Sequence, residues 1–146
     1  MRVVAVLMLL ISLAATPPAT ADQVLDGVAT LPGSVEDVRV GGTWDRDGQS
    51  GVYRIVLARS GGDGVTARLF IQWVVYQDDG SAAVQETLEI KEVAELRVDI
   101  VDFASESDQD GLSVFLQTLD PNGSEDLNYE LHVLSPALYK FGPASN

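Results

Sequence analysis

The chain has 146 residues, with nine Lys and Arg residues against 22 Asp and Glu residues, one His and no Cys. This length suits one domain and is short for two. The absence of Cys excludes a disulfide scaffold, a thiolate site for zinc or iron–sulfur clusters, and a lipid anchor attached through cysteine. The formal net charge of −13 opposes binding to phosphate backbones, so we expect no nucleic-acid partner.

The first residues have the pattern of an export signal. Arg2 supplies a positive charge, and residues 3–15 are apolar apart from Ser12. A helix over these 13 residues would be about 20 Å long. That is shorter than the roughly 30 Å of a bilayer core, so we expect no membrane span. Ala19-Thr20-Ala21 places small residues where a signal peptidase reads. We therefore predict a signal peptide over residues 1–21, cleavage before Asp22, and a periplasmic or extracellular protein.

Cleavage would make the mature chain more acidic and free of sulfur. It removes Arg2, which takes the formal net charge from −13 to −14, and it removes both methionines, Met1 and Met8. A strongly negative domain attracts cationic groups and repels anionic lipid and nucleic acid. We therefore expect a basic or cationic protein partner.

The mature sequence alternates between short apolar runs and breaks rich in Gly, Asp, Asn and Pro. The runs contain many β-branched and aromatic residues, which favour strands, and the breaks contain residues that favour tight turns. This pattern predicts an all-β fold, an antiparallel β-sandwich of about seven to eight strands over residues 35–141. We expect a flexible segment over residues 22–34 and a flexible tail over residues 142–146. The runs cover residues 38–44, 51–59, 65–77, 84–90, 96–103, 111–119, 127–134 and 138–141.

Strict alternation in several runs identifies the core. We expect the core to contain Tyr53, Ile55, Leu57, Leu69, Ile71, Trp73, Leu131 and Val133. If residues 60–64 form a hairpin loop, Arg59 lies opposite Val65, and Gly51 lies opposite Trp73. Residues 91–95 are good helix formers and predict a single helical turn between two strands.

Two acidic turns are candidate calcium ligands. Asp45-Arg46-Asp47-Gly48 and Asp108-Gln109-Asp110-Gly111 both place alternate carboxylates before a glycine, which can direct oxygen ligands at calcium. The hypothetical metal ligands are Asp45, Asp47, Asp108 and Asp110. Hairpins use Asp-Gly for turn geometry alone, and neither segment has the distal glutamate of a helical calcium loop. We therefore favour turn chemistry over a calcium site.

Little in the chain supports catalysis. The lone His132 lies in an alternating strand, where a solvent-facing position is its ordinary role, and we find no nucleophile motif. We therefore predict a non-catalytic envelope or secreted module that binds a partner or serves a structural role, with no cofactor. One alternative is a small carboxylate-dependent hydrolase acting on glycan, in which two acidic side chains meet across a groove lined by Trp or Tyr. The other is a calcium-binding accessory domain.

The aromatic residues Trp44, Phe70 and Tyr76 also allow two interpretations. Their rings can form a binding surface, because aromatic residues are enriched at interfaces. We favour a second apolar core for them, since Phe70 and Tyr76 share their strand face with Val74.

Overall fold

The computed structural model describes residues 20–62, 64–119 and 127–145. They fall into two compact units that divide between Leu31 and Pro32. The first unit contains helix α1, Thr20–Ala29, after which the Thr30 hydroxyl donates a hydrogen bond of 2.8 Å to the carbonyl oxygen of Asp26. The sequence analysis did not predict this helix. Nearly all of the predicted signal peptide lies outside the described residues, so cleavage stays a prediction.

The second unit consists of eight strands and one short helix. Helix α2 was expected as a single turn and is confirmed. Within the described ranges, no helix is both long and apolar enough to cross a membrane. The elements are β1 (Val35–Arg46), β2 (Gln49–Ser60), β3 (Thr66–Tyr76), β4 (Ala82–Ile90), α2 (Lys91–Leu96), β5 (Asp99–Asp108), β6 (Gly111–Leu119), β7 (Asn128–Ser135) and β8 (Leu138–Pro143).

The strands form two four-stranded antiparallel sheets. Sheet A has the order β1-β2-β3-β4, and sheet B has the order β5-β6-β7-β8, so every neighbour within a sheet is also the next strand in sequence. The prediction of an all-β, antiparallel chain with about eight strands is confirmed. Because consecutive strands run in opposite directions, alternate turns of each sheet lie at the same end.

Both sheets contribute to one hydrophobic core. All eight residues that the sequence analysis assigned to the core are buried. Sheet B adds Ile100, Phe103, Leu112, Val114, Leu116 and Tyr129 to the same cluster, and α2 adds Val93. The strict alternation of apolar side chains along β2, β3, β6 and β7 explains why one face of each strand is buried.

The predicted register of the β2–β3 hairpin was wrong by two residues. Arg59 pairs with Ala67, and Tyr53 pairs with Trp73, with which it forms an edge-to-face contact at 5.8 Å between ring centroids. This aromatic pair replaces the expected Gly51–Trp73 pair. A shift of two residues leaves every side chain on the same face, which explains why the core was nevertheless correct.

Two arginines connect the neighbouring edges of the sheets at β1 and β5. Arg39 binds Asp37 through Nε at 2.7 Å, and its Nη1 donates to Asp102 at 3.1 Å and to the carbonyl oxygen of Phe103 at 2.9 Å. Its guanidinium carbon also lies 4.2 Å from the centroid of the Phe103 ring. Arg59 makes a second connection, between Glu36 and Asp99.

Candidate functional site

A cavity of about 910 Å³ lies at the end of the second unit where the β1–β2 and β5–β6 turns meet. The ends of β3 and β7 contribute Trp73, Tyr76 and Leu134 to its wall. The cavity therefore draws on both sheets. Its lining consists of Thr43, Trp44, Asp45, Arg46, Ser50, Gly51, Val52, Tyr53, Trp73, Tyr76, Asp108, Gln109, Asp110, Gly111 and Leu134.

The end of β1, next to the β1–β2 turn, contributes Asp45 and Arg46. Arg46 pairs with Gln49, and the two residues between them, Asp47 and Gly48, have φ angles of 53° and 76°. Two successive positive φ angles are the geometry of a type I′ hairpin turn, which favours Asp-Gly. Arg46 lies 3.7 Å from a carboxylate oxygen of Glu86, which is outside the cavity lining.

The β5–β6 turn contributes Asp108, Gln109 and Asp110. Asp108 pairs with Gly111, and one carboxylate oxygen of Asp108 accepts a hydrogen bond of 2.8 Å from the backbone N–H of Asp110. Gly111 has a φ of 138°, and a Cβ atom there would lie 2.1 Å from the carbonyl oxygen of Val133. The close approach of β7 therefore requires glycine at this position.

Aromatic side chains form the sheet A side of the cavity. Trp44 packs over Gly51 and donates a hydrogen bond of 3.1 Å from Nε1 to the carbonyl oxygen of Val52. Tyr53 and Trp73 are 5% and 2% exposed, whereas Tyr76 is 57% exposed. Tyr76 therefore corrects the expectation of a second apolar core, because its ring is open to solvent at the cavity.

Tyr53 places a polar atom in this apolar setting. Burial raises the pKa of the Tyr53 hydroxyl. The charge of Arg46 and a hydrogen bond with Trp73 lower this pKa, and the charge of Asp108 raises it. Within the part of the chain that the structure describes, the Tyr53 hydroxyl donates no hydrogen bond. Since Tyr53 lines the cavity, this hydroxyl is a candidate ligand contact.

The four candidate calcium ligands are only partly brought together. Asp45, Asp108 and Asp110 line the same cavity, whereas Asp47 lies in the turn outside the lining. Among residues 20–62, 64–119 and 127–145, no three His, Cys, Asp or Glu side chains are grouped closely enough to hold a metal ion. Calcium binding stays a prediction. Thermal unfolding in millimolar calcium, compared with magnesium and with a chelator, tests it.

His132 lies in a separate place, on the opposite face of sheet B from the core. Its Nδ1 is 2.7 Å from the hydroxyl of Ser113, and it lines a second cavity of about 470 Å³ with Glu130 and Lys140. Ser113 and His132 face each other on paired strands. His132 is partly exposed on this face of the sheet.

The sequence did not predict that the two acidic segments line one cavity together with Tyr53, Trp73 and Tyr76. It placed Tyr53 and Trp73 in the core, which is confirmed, without recognising that both also line a cavity. The available signal was their position close to the strand ends that face the two acidic turns. Comparison of the chain with protein-family models, curated proteins and solved structures finds no match.

Proposed function

We propose that this protein is an exported, non-catalytic binding module in which the two sheets form a β-sandwich and the acidic cavity is the ligand site. The observation that carries the proposal is that Asp45 from sheet A and Asp108 and Asp110 from sheet B line one cavity that also has an aromatic wall. Binding sites are typically concave, largely apolar, and provided with a few convergent polar groups.

The charge of the cavity favours a cationic partner. Its lining has three aspartates and one arginine, and that arginine lies beside Glu86. The chain as a whole has a formal net charge of −13, which attracts basic segments over a Debye length of about 8 Å at physiological salt. The partner we propose is therefore a basic segment of another protein.

Export is supported by the sequence of the first 21 residues. N-terminal sequencing of protein recovered from the exported fraction tests it directly. We expect a mature chain that begins at Asp22, and a mature chain that retains Met1 would refute export by cleavage.

Binding is tested by titrating the protein with a basic peptide and with an acidic peptide of equal length, at low and high salt. We expect only the basic peptide to bind, and salt to weaken the complex. Asp108→Asn removes one cavity charge, and Glu95→Gln removes one charge from the exposed surface of α2. If the two variants bind the basic peptide equally well, the cavity is not the site.

A second candidate function is glycan hydrolysis. The specific observation in its favour is that carboxylates from two different sheets line one cavity together with Trp44 and Tyr76. Glycoside hydrolysis uses two carboxylates on opposite sides of the scissile bond. Turnover of a panel of glycans that is abolished by both Asp45→Asn and Asp108→Asn would favour this function over the binding module.

A further inference from the structure

We infer that the acidic cavity recognises the guanidinium group of an arginine side chain on the partner protein. This inference rests on the proposed function and specifies the group that is bound. It combines the three cavity aspartates with the hydroxyl of Tyr53, a residue that lines the cavity, and the exposed ring of Tyr76.

The protein shows how it binds guanidinium groups elsewhere in its own structure. Arg39 lies between the carboxylates of Asp37 and Asp102, with its guanidinium carbon 4.2 Å from the Phe103 ring centroid. Arg68 lies 2.6 Å from Glu89 and 5.0 Å from the Phe70 ring centroid. Each site therefore consists of carboxylate oxygens beside an aromatic face, which suits a planar, delocalised cation.

The cavity has the same two components. Asp45 comes from the end of β1, while Asp108 and Asp110 come from the β5–β6 turn, so carboxylates are present on both sheets. One oxygen of Asp108 already accepts the backbone N–H of Asp110, which leaves its other oxygen for a ligand. Tyr76, which is 57% exposed, provides an aromatic face in the same cavity.

Arg46 does not supply this guanidinium from within the chain. Its guanidinium carbon is 6.0 Å from the Trp44 ring centroid, farther than in the Arg39 and Arg68 sites, and its nearest carboxylate is that of Glu86 at 3.7 Å. A partner's arginine can therefore meet Asp45 and Asp108 without displacing an existing ion pair of those two residues in the described part of the chain.

Tyr53 gives an observation that is independent of the carboxylates. Its side chain is only 5% exposed, yet it lines the cavity, and within the described residues its hydroxyl donates no hydrogen bond. The hydroxyl oxygen can accept an N–H of a guanidinium group. A guanidinium has five N–H donors, whereas an ammonium group has three, so this distributed set of acceptors favours arginine over lysine.

The test uses three nine-residue Gly/Ser peptides that differ only at the central position, which is arginine, lysine or the neutral isostere citrulline. The chain has two tryptophans, Trp44 and Trp73, and both line the cavity, so intrinsic fluorescence reports its occupancy. At low salt we expect the arginine peptide to bind about tenfold more tightly than the lysine peptide, which equals about 1.4 kcal/mol, and the citrulline peptide to give no saturable change.

Matched variants locate the effect. We expect Asp108→Asn and Asp45→Asn each to weaken binding of the arginine peptide about tenfold, and Glu95→Gln to leave it unchanged. Tyr53→Phe keeps the ring and should weaken the same complex several-fold. Tyr139→Phe removes a hydroxyl that instead binds Glu92 outside the cavity, and should have no effect. Circular dichroism of each variant verifies the fold.

Each alternative result has a defined meaning. Equal binding of the arginine and lysine peptides overturns guanidinium recognition while the proposed binding function stands. Equal binding of the citrulline peptide overturns the role of charge. Equal losses in Asp108→Asn and Glu95→Gln mean general electrostatic attraction and overturn the site. If neither cationic peptide binds, both the inference and the proposed basic partner are overturned.

Discussion

The two sides of the cavity contain the same sequence motif in two different structures. In the β1–β2 turn the glycine of Asp-x-Asp-Gly, Gly48, is a central turn residue, whereas in the β5–β6 turn the glycine, Gly111, is the first residue of the next strand. The structural counterpart of Gly111 is Gly51. A Cβ at Gly51 would lie 2.0 Å from the carbonyl oxygen of Val74, and one at Gly111 would lie 2.1 Å from that of Val133.

The four-residue motif therefore does not determine the turn. Pairing of the flanking strands decides which two residues become the turn, and the glycine then serves whichever close contact the register creates. As a result, sheet A presents one motif aspartate to the cavity, Asp45, and sheet B presents both Asp108 and Asp110.

The largest expected loss of stability is on the aromatic side of the cavity, and a matched change on the sheet B side should cost little. Trp73→Ala removes a side chain that is 2% exposed and leaves a void, so we expect unfolding to become easier by about 3 to 5 kcal/mol. Leu134→Ala, at an exposed position on β7, should cost less than about 0.5 kcal/mol. Urea unfolding of both variants measures the difference, and equal losses would contradict the assignment of Trp73 to the core.

The next largest loss of stability tests whether Gly51 and Gly111 are structurally equivalent. Alanine at either position would bring Cβ against a backbone carbonyl, so we expect a loss of about 2 to 3 kcal/mol at Gly51. The loss at Gly111 should be somewhat larger, because its positive φ adds strain.

Gly48→Ala is the matched control for these two variants. Its Cβ would point into open space, and only its φ of 76° is unfavourable, so about 1 kcal/mol is expected. Thermal unfolding ranks the three variants. A loss at Gly48 as large as that at Gly111 would refute the proposed correspondence.

A smaller effect is expected on the pH dependence of stability. It concerns Asp102, which lies at the β1–β5 contact and not in the cavity. The backbone N–H of Phe103 and then Arg39 hold the pKa of Asp102 below its ordinary value. A lowered pKa in the folded state contributes stability that is present above the unfolded pKa of about 3.9 and is lost as pH falls through the folded pKa.

We therefore expect the unfolding midpoint to fall as the pH is lowered from about 5 toward 3, and this fall to be shallower in Asp102→Asn. Asp108→Asn serves as the comparison from the cavity. If Asp102→Asn retains the full acid dependence, Asp102 does not contribute to it.

The smallest effect should differ in size between the two turns. Asp47 has a positive φ, so Asp47→Gly relieves backbone strain in the folded chain. Glycine also adds entropy to the unfolded chain, which roughly offsets that gain, so we expect almost no change in the free energy of unfolding. Asp110 is not among the residues with positive φ, so Asp110→Gly gains nothing and should cost about 0.4 to 1 kcal/mol. Denaturant titrations resolve this difference, and equal costs would contradict it.

Much of the fold could be predicted from the sequence because strand alternation is a local property. The period of two in β2, β3 and β7 placed Tyr53, Leu69 and Leu131 on the buried face even though the hairpin register was wrong by two residues. The run of good helix formers at residues 91–95 likewise predicted α2. Helix α1 was missed, since it contains Gly27, a residue that weakens helices.

The candidate site was harder to predict because it depends on the placement of one sheet against the other. Asp45 and Asp108 occupy corresponding positions in two turn motifs, but the placement of one sheet against the other decides whether they join one cavity with Tyr76. The two identical motifs even suggested equivalent ligands, and the structure shows that strand pairing places Asp47 and Asp110 differently.

The sequential order of strands in each sheet has a consequence for how the chain acquires its structure. Each sheet consists of consecutive hairpins, whose contacts are close in sequence and can form rapidly. Each sheet alone would leave an apolar face in water, since Ile55 and Ile71 of one and Leu116 and Leu131 of the other belong to the same cluster. We therefore expect each sheet to be stable only when it packs against the other, with α2 as the segment that joins them in sequence. We expect a chain divided within α2 to give two fragments that fold, and form the cavity, only when they associate.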